Sequence, residues 1–456
     1  MLPWRTLVGA PNVEADSFER SDVATQKATL WMLIGIDSLC VLGTEIAIFG
    51  VAVWICQVTH SVEGYSGVLF AGTVPGLLVD PVAGHVVDRY PRKTVMIGAS
   101  VVTLLGSLIV LACALTRHLS LAPILGGAAL AGIGGSFQWL ALASMLPQLA
   151  SASDLPKFNG FLESGKAASM MAGPVVGGAA YVFVGLNGLL AAEVVAFVIG
   201  IAVIATLKLP GKGDEEDEED DDDLSKADLL FGFRWLYAHR PMWKVLCAGI
   251  FANFFLSIGT VLMAPYCLGL LSEKSYGISS GCYGAGMIVG GLAYGRLTDY
   301  FRNGRIFLVS IFALAVSYGA YGFARNLPSI ATIDFIVALL VTLINSAMLT
   351  IWQTKVPQEA SGRVLAATGM LADCSAPVAF LIGGPLGDWA VPFLLEHGGS
   401  ATRWIPTVWG ASKSGQIGTL FTTIGVVLFV GFLVAAMSRD VRDVEGRDSE
   451  RGDADV

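Results

Sequence analysis

The feature that most constrains this chain is a succession of long apolar runs separated by short polar turns. Lipid offers no partner for backbone N–H and C=O groups, so a chain crossing it must satisfy them within a helix of about 20 residues. With that ruler, six spans precede a central acidic run: 29–57, 64–87, 94–116, 120–146, 158–183 and 186–207. Six follow it: 243–270, 276–298, 305–324, 328–353, 364–391 and 414–438. Only 14% of the residues are charged, against about 25% in soluble domains, so no polar surface could enclose this much apolar side chain in water. The expected fold is an all-α polytopic membrane protein.

Charge distribution orients it. The formal charge of −9 is local: Asp214 to Asp223 are ten consecutive carboxylates, and without them the balance is +1. With the N-terminus cytoplasmic, cytoplasmic segments carry about 21 Lys and Arg, and the opposite loops only Arg117, Lys274, Arg325, Arg403 and Lys413. Both termini and the acidic linker are therefore expected in the cytoplasm of a cell with this protein in its inner or plasma membrane. The first 27 residues are polar and mixed, unlike a cleavable signal peptide, so the first apolar run is expected to remain as span 1.

The chain repeats itself. Leu146-Pro147-Gln148 recurs as Val356-Pro357-Gln358, 210 residues on, while Gly84-x-x-x-Asp88 recurs as Gly295-x-x-x-Asp299 and Gly173-Pro174 as Gly384-Pro385, each 211 on. Each unit holds an even number of spans, so both insert with the same orientation, as in transporters built of parallel repeats. The domain reading is a tail 1–28, a six-helix bundle 29–207, a linker 208–242 with the acidic run and an amphipathic helix, a second bundle 243–438, and a tail 439–456. The acidic run reads foremost as a solvated spacer, and Leu224 to Lys244 as a helix lying at the interface.

Between spans 2 and 3 lies Gly84-His85-Val86-Val87-Asp88-Arg89-Tyr90-Pro91-Arg92-Lys93, echoed by Gly295, Asp299, Gly304 and Arg305. At this point the chain resembles the major facilitator superfamily, whose signature is such a loop in both halves. The resemblance implies twelve helices as two parallel six-helix repeats, with the loop acting as a gating latch. Pro91 departs from the Gly often found there. In span 5, Gly160, Gly173, Pro174, Gly177 and Gly178 resemble the antiporter motif of that superfamily, with Ser169 in place of one glycine. Val53 to Thr59, Phe137-Gln138-Trp139, Gln353 to Pro357 and Gly362-Arg363-Val364 resemble the bacterial branch of enterobactin exporters and macrolide efflux proteins.

Ionisable residues inside spans are costly and mark function by default. Asp37 and Glu45 lie eight residues apart in span 1, so roughly on one face. With Asp373 in span 11 they are the proton-coupling candidates. The resemblance implies a cavity lined by spans 1, 2, 4, 5, 7, 8, 10 and 11. On that implication Gln138, Glu163, Lys166, Asn253 and Asn345 are the substrate-cavity candidates. Glu163 and Lys166, three apart, can also pair with each other. Glu193 in span 6 reads as structural, and Asp80-Pro81 as part of the gate. Neither the seven cysteines nor the five histidines have metal-ligand spacing, and Gly-x-x-x-x-Gly-Lys-Ser/Thr is absent. No metal, cofactor, nucleic acid or enzymatic activity is expected. The expectation is a monomeric, proton-coupled exporter of an amphipathic small molecule such as a drug, a macrolide-like compound or a siderophore. The alternatives are nutrient uptake or facilitated diffusion, and a receptor or scaffold that keeps the fold without transport.

Overall fold

The computed structural model describes residues 13–59, 61–150, 155–207, 231–356, 358–397, 405–438 and 441, with side chains from Lys27 onward. The acidic run 214–223 and most of both tails lie outside the described residues. Spans 1 to 4 are carried by Val13–Val58, Val62–Arg89, Arg92–Leu115 and Leu121–Leu149. Spans 5 and 6 share Leu155–Thr206, and Gly185, at φ 61° and ψ −169°, separates them. That conformation belongs to glycine, so one residue suffices for the reversal. Spans 7 to 10 are Arg240–Leu268, Glu273–Leu297, Asn303–Tyr321 and Leu327–Lys355, and span 12 is Lys413–Met437.

Ten helices of the described residues have the length and apolarity to cross a bilayer, the 43-residue Ser164–Thr206 among them. That helix holds two passes because of its break. Glu273–Leu297 adds another: its 25 residues pack between spans 5 and 10, and its many glycines and hydroxyls lower its hydropathy. These helices fit a twelve-pass fold.

Span 11 departs from the sequence reading. A single helix was expected over 364–391. It runs instead as Gln358–Asp373, Ser375–Pro385, a π-helical turn Leu386–Ala390, and Val391–His397. Proline at 377 and 385 removes two backbone donors, which the ladder answers by shifting register. The amphipathic linker helix expected over 224–244 is described from Phe231. Phe231–Ala238 packs on Gln358–Asp373 and ends before His239, so residues 240–244 belong to the next helix.

The apolar pattern is that of a protein dissolved in lipid. Val182, Phe183, Val198, Ile199, Val426, Val430 and Val434 are exposed, while Ser279, Glu193 and Asp334 are buried. With lipid tails as apolar as the core, helices associate by close packing of small residues. A Cβ at Gly132 of span 4 would collide with the Gly72 carbonyl of span 2, and one at Gly106 of span 3 would come within 2.8 Å of the Gly127 carbonyl. Spans 8 and 10 repeat the device, with Gly290 against the Leu339 carbonyl at 2.7 Å.

These contacts generate a test within one helix. Gly132→Ala is expected to destabilise by about 1–3 kcal/mol through overpacking. Gly126→Ala, on the same span with nothing within 4 Å of its added Cβ, is expected to be neutral or slightly stabilising. Thermal unfolding of the purified variants measures both; equal midpoints would show that the span 2–span 4 approach tolerates a methyl group.

Candidate functional site

Span 5 organises the site. Its small face lies on span 1 in parallel register: Gly165 meets Ser38, Gly173 meets Glu45 and Gly177 meets Phe49. Ser169, the departure from the glycine motif, donates to the Ser38 carbonyl at 2.8 Å and so keeps the contact short. A Cβ at Gly173 would collide with that of Glu45. The antiporter-like motif thus seats the carboxylate-bearing stretch of span 1. The surroundings of Gly160 lie outside the described residues.

Glu45, Asp37, Gln138, Trp139 and Lys166 line one cavity of about 220 Å³ among spans 1, 4 and 5. Gln138 donates to Asp37 at 3.2 Å and accepts from Ser100 at 3.3 Å, which fixes its amide. Lys166 stands 5.0 Å over the Trp139 ring, a cation–π contact, and bears electrostatically on Glu45. Through Thr44 and Ala131 this cavity adjoins a second, of about 290 Å³, walled mostly by aliphatic side chains of spans 1 to 4 and 6. Glu193 reaches that wall between the Thr44 and Ser107 hydroxyls.

The other sequence candidates are not gathered there. Asp373 is exposed at the break in span 11, and its charged neighbour is Asp80 of span 2, which accepts from Ser136. Asn253 holds that break, donating to the Ala372 carbonyl at 3.1 Å and Ser375 at 2.9 Å. Asn345 is exposed on span 10. The side chains of Glu163 and Asp88 lie outside the described residues. In the latch, Lys93 donates to the Ala205 and Leu207 carbonyls at the end of span 6, at 2.8 and 2.7 Å, where a cation meets the negative end of the helix dipole. Arg305 lies 5.6 Å over the Phe301 ring, Gly304 is buried, Arg89 and Asp299 are exposed, and Arg92 is half-buried. Added Cβ atoms at Gly84 and Gly295 would meet nothing within 4 Å.

That freedom contrasts with the opposite end, where the two halves are in contact. Spans 5 and 8 run antiparallel there, with Gly178 on Gly277, Val175 on Gly281 and Met171 on Gly284; the Gly277 position is 2.5 Å from the Pro174 carbonyl. The repeat-related pair, spans 2 and 11, closes likewise, with Gly384 on Glu63 and Ser66 and Gly387 on Val62. Gln57 donates to Glu273 across the halves, and Phe49 stacks on Tyr276 at 5.1 Å. The two halves are closed on each other at the end bearing residues 57–66, opposite the end bearing both latch copies.

A residue that the sequence reading missed pins this closure. Asp388, in the π turn of span 11, accepts from the Ser61 hydroxyl at 2.9 Å and from the Val62 and Glu63 amides at 3.1 and 3.0 Å. It caps span 2 from the other half and pairs with Lys413 of span 12 at 2.7 Å. Its sequence signal was the repeat itself, since Asp388 occupies the place of Gly177 in the second copy of Gly-Pro-x-x-Gly.

Two halves that meet at one end, the first of them enclosing a cavity with embedded charge, are the geometry of a transporter. A family model described as Major Facilitator Superfamily matches residues 38–380. The chain belongs to the Major Facilitator Superfamily. It is therefore an integral membrane transport protein for small molecules and not an enzyme. It is 24% identical over 348 residues to macrolide efflux protein A of Streptococcus pyogenes, covering 74% of this chain and 83% of that one. It is 25% identical over 373 residues to the multidrug efflux pump Tap of Mycolicibacterium fortuitum, covering 80% and 91%. In fold it matches a bacterial homolog of the human lysosomal transporter Spinster in an inward-facing, unoccupied conformation. That match has a TM-score of 0.69 at 15% identity, over 90% of this chain and 95% of that one. The superfamily resemblance read from the latch copies holds.

The closure yields a second test. Hydrogen bonds to a charged group contribute about 1.5–3 kcal/mol each, so removing Asp388 is expected to shift the closed–open balance by about 10-fold or more. Ser66→Cys, buried in the seam at 3% exposure, reports it. In nanodiscs, maleimide should label Cys at position 66 faster by that factor when Asp388→Ala is added. An unchanged rate would mean that the glycine seams alone hold the closure.

Proposed function

We propose that this transporter exports an amphipathic small molecule, such as a drug, a macrolide-like compound or a siderophore, in exchange for protons. It acts by alternating access between its two bundles, 29–207 and 243–438. The observation that carries the reading is the seating of Glu45: the antiporter-like glycines of span 5 clasp the segment of span 1 that presents this carboxylate to a cavity shared with Asp37 and Lys166. The same span 5 helix makes the seam to span 8. A group that binds protons and a gate that opens and closes are thus mounted on one element, which is what coupling requires.

The closed end carries the loops poor in Lys and Arg, and the opposite end carries the latch copies and the basic loops. By the positive-inside rule the closed end faces outward, and both termini and the linker are cytoplasmic in this reading. Substrate enters from the cytoplasm or inner leaflet, its apolar body against the aliphatic wall of the second cavity and its polar part toward Glu45, Asp37 and Lys166. Glu45 gives up its proton when the cavity opens inward and takes one up when it opens outward, and the substrate leaves in exchange. Both cavities are lined by a single chain, which makes the monomer the working unit of this reading. The relatives named for macrolide and multidrug efflux support this direction of transport.

Reconstitution in liposomes under a pH gradient tests the reading. Candidate amphipathic substrates should drive proton flux in the wild type, and Glu45→Gln should reduce that flux to background while leaving the protein folded. Substrate movement without proton flux would leave a facilitator or a sodium-driven carrier. Accumulation against export would point to uptake, and specific binding of those substrates without movement to a receptor.

A further inference from the structure

The transport reading leaves unused the most enclosed carboxylate of the second bundle. Asp334 of span 10 is 4% exposed. One of its oxygens accepts from the Tyr321 hydroxyl at 2.5 Å and the other from the Ser279 hydroxyl. The titratable groups that face it are neutral thiols and phenols: Cys267 on span 7, Tyr276 and Tyr283 on span 8, and Tyr318 and Tyr321 on span 9. A polar thread leads from it to the closed face. The Tyr321 and Ala324 carbonyls lie 2.5 and 2.6 Å from the Tyr266 hydroxyl, Arg325 donates to that hydroxyl at 3.2 Å, and its other nitrogen donates to the Trp409 carbonyl at 2.9 Å.

Ser279 gives this cluster leverage. It sits on span 8 two residues from Gly277 and two from Gly281, and at 3.6 residues per turn it points nearly opposite to both. Those glycines meet span 5 in the seam. Asp334 therefore grips the back of the helical turn whose front closes the molecule. Two hydroxyl donors on two oxygens is an arrangement that an acceptor-only, ionised carboxylate satisfies, whereas a protonated one must itself donate. The phenol of Tyr321 is held within a packed ring cluster with Tyr318 and Phe421, while a serine hydroxyl turns freely to its own helix. Ser279 is the bond that yields.

We propose that Asp334 is a proton switch for the seam between spans 5 and 8, separate from the substrate cavity. Ionised, it holds Ser279 and keeps span 8 docked on span 5; protonated, it releases Ser279 and lets that seam part. This deepens the alternating-access reading and rests on it. It makes Asp334 a positioning residue that acts through span 8 and touches no substrate.

Spin labels at Phe183 and Lys274, both exposed at the closed end on spans 5 and 8, report the seam distance in nanodiscs. Exposed Cys247 and Cys374 are replaced by serine first. Without substrate or gradient, acidification should shift the wild-type distribution to longer distances. Asp334→Asn, which can accept one bond and donate one, should hold the long distance at every pH. Should that variant fail to fold, Ser279→Ala decides, because it leaves the carboxylate in place and should abolish the pH response. Glu63, Glu273 and Asp388 place other carboxyl groups at the seam itself, so a response that persists in Ser279→Ala belongs to them and overturns the proposal, as does a wild type whose seam ignores pH. Because no transport is measured, loss of proton flux in Glu45→Gln and loss of seam response in Ser279→Ala are independent results.

Discussion

The structure depends on the close approach of span 5 to two partners at once. Gly173 and Gly177 let it lie on span 1, and Pro174 and Gly178 let it lie on the Gly277 turn of span 8. In a bilayer, bulky apolar side chains gain little by meeting each other, since lipid serves them as well. Backbone-to-backbone contact over small residues is what distinguishes a specific partner from lipid. The first of these contacts stays within one half and places Glu45; the second crosses to the other half and closes one end. A single helix therefore carries both the cavity and its gate.

Polarity is used sparingly and where it decides a state. Spans 2, 8, 10 and 12 each start at the closed end with a side-chain cap, from Ser61, Ser272, Asn326 and Ser412. Only the span 2 cap is shared with the other half, through Asp388. A charge-assisted bond across the seam adds a directional hold that glycine packing lacks, and it sits next to the aqueous face, where it can be rehydrated on opening. The buried charges inside the bundles are kept differently. Gln138 braces Asp37, Lys166 balances Glu45, and hydroxyls surround Glu193 and Asp334. Each stays hydrogen-bonded or electrostatically supported; Glu45 is linked to the seam through span 5 and Asp334 through span 8.

Much of the fold was legible because bilayer thickness imposes a length on every crossing. The apolar runs, the reversal near Gly185 and the repeat at 211 residues could be read directly, as could the tight packing implied by Gly173-Pro174. Span 11 was not, because its break at Cys374 and its π turn depend on how two prolines are accommodated against spans 2 and 7. Pairings across distance were also hidden. Asp373 and Glu45 were grouped as embedded acids, yet Asp373 faces Asp80 while Glu45 faces Lys166. Asn253 was read as a cavity contact, and its amide is spent on the span 11 break.

What the sequence alone determined was the class of solvent, the duplication and the superfamily, since each rests on local composition or on a repeat within one chain. What only the tertiary structure decided was which end is closed, that Asp388 caps a helix of the other half, and that Asp334 grips span 8 behind the seam. Those facts depend on the relative placement of helices hundreds of residues apart, and helix rotation about its own axis, set by packing, chooses which side chains meet.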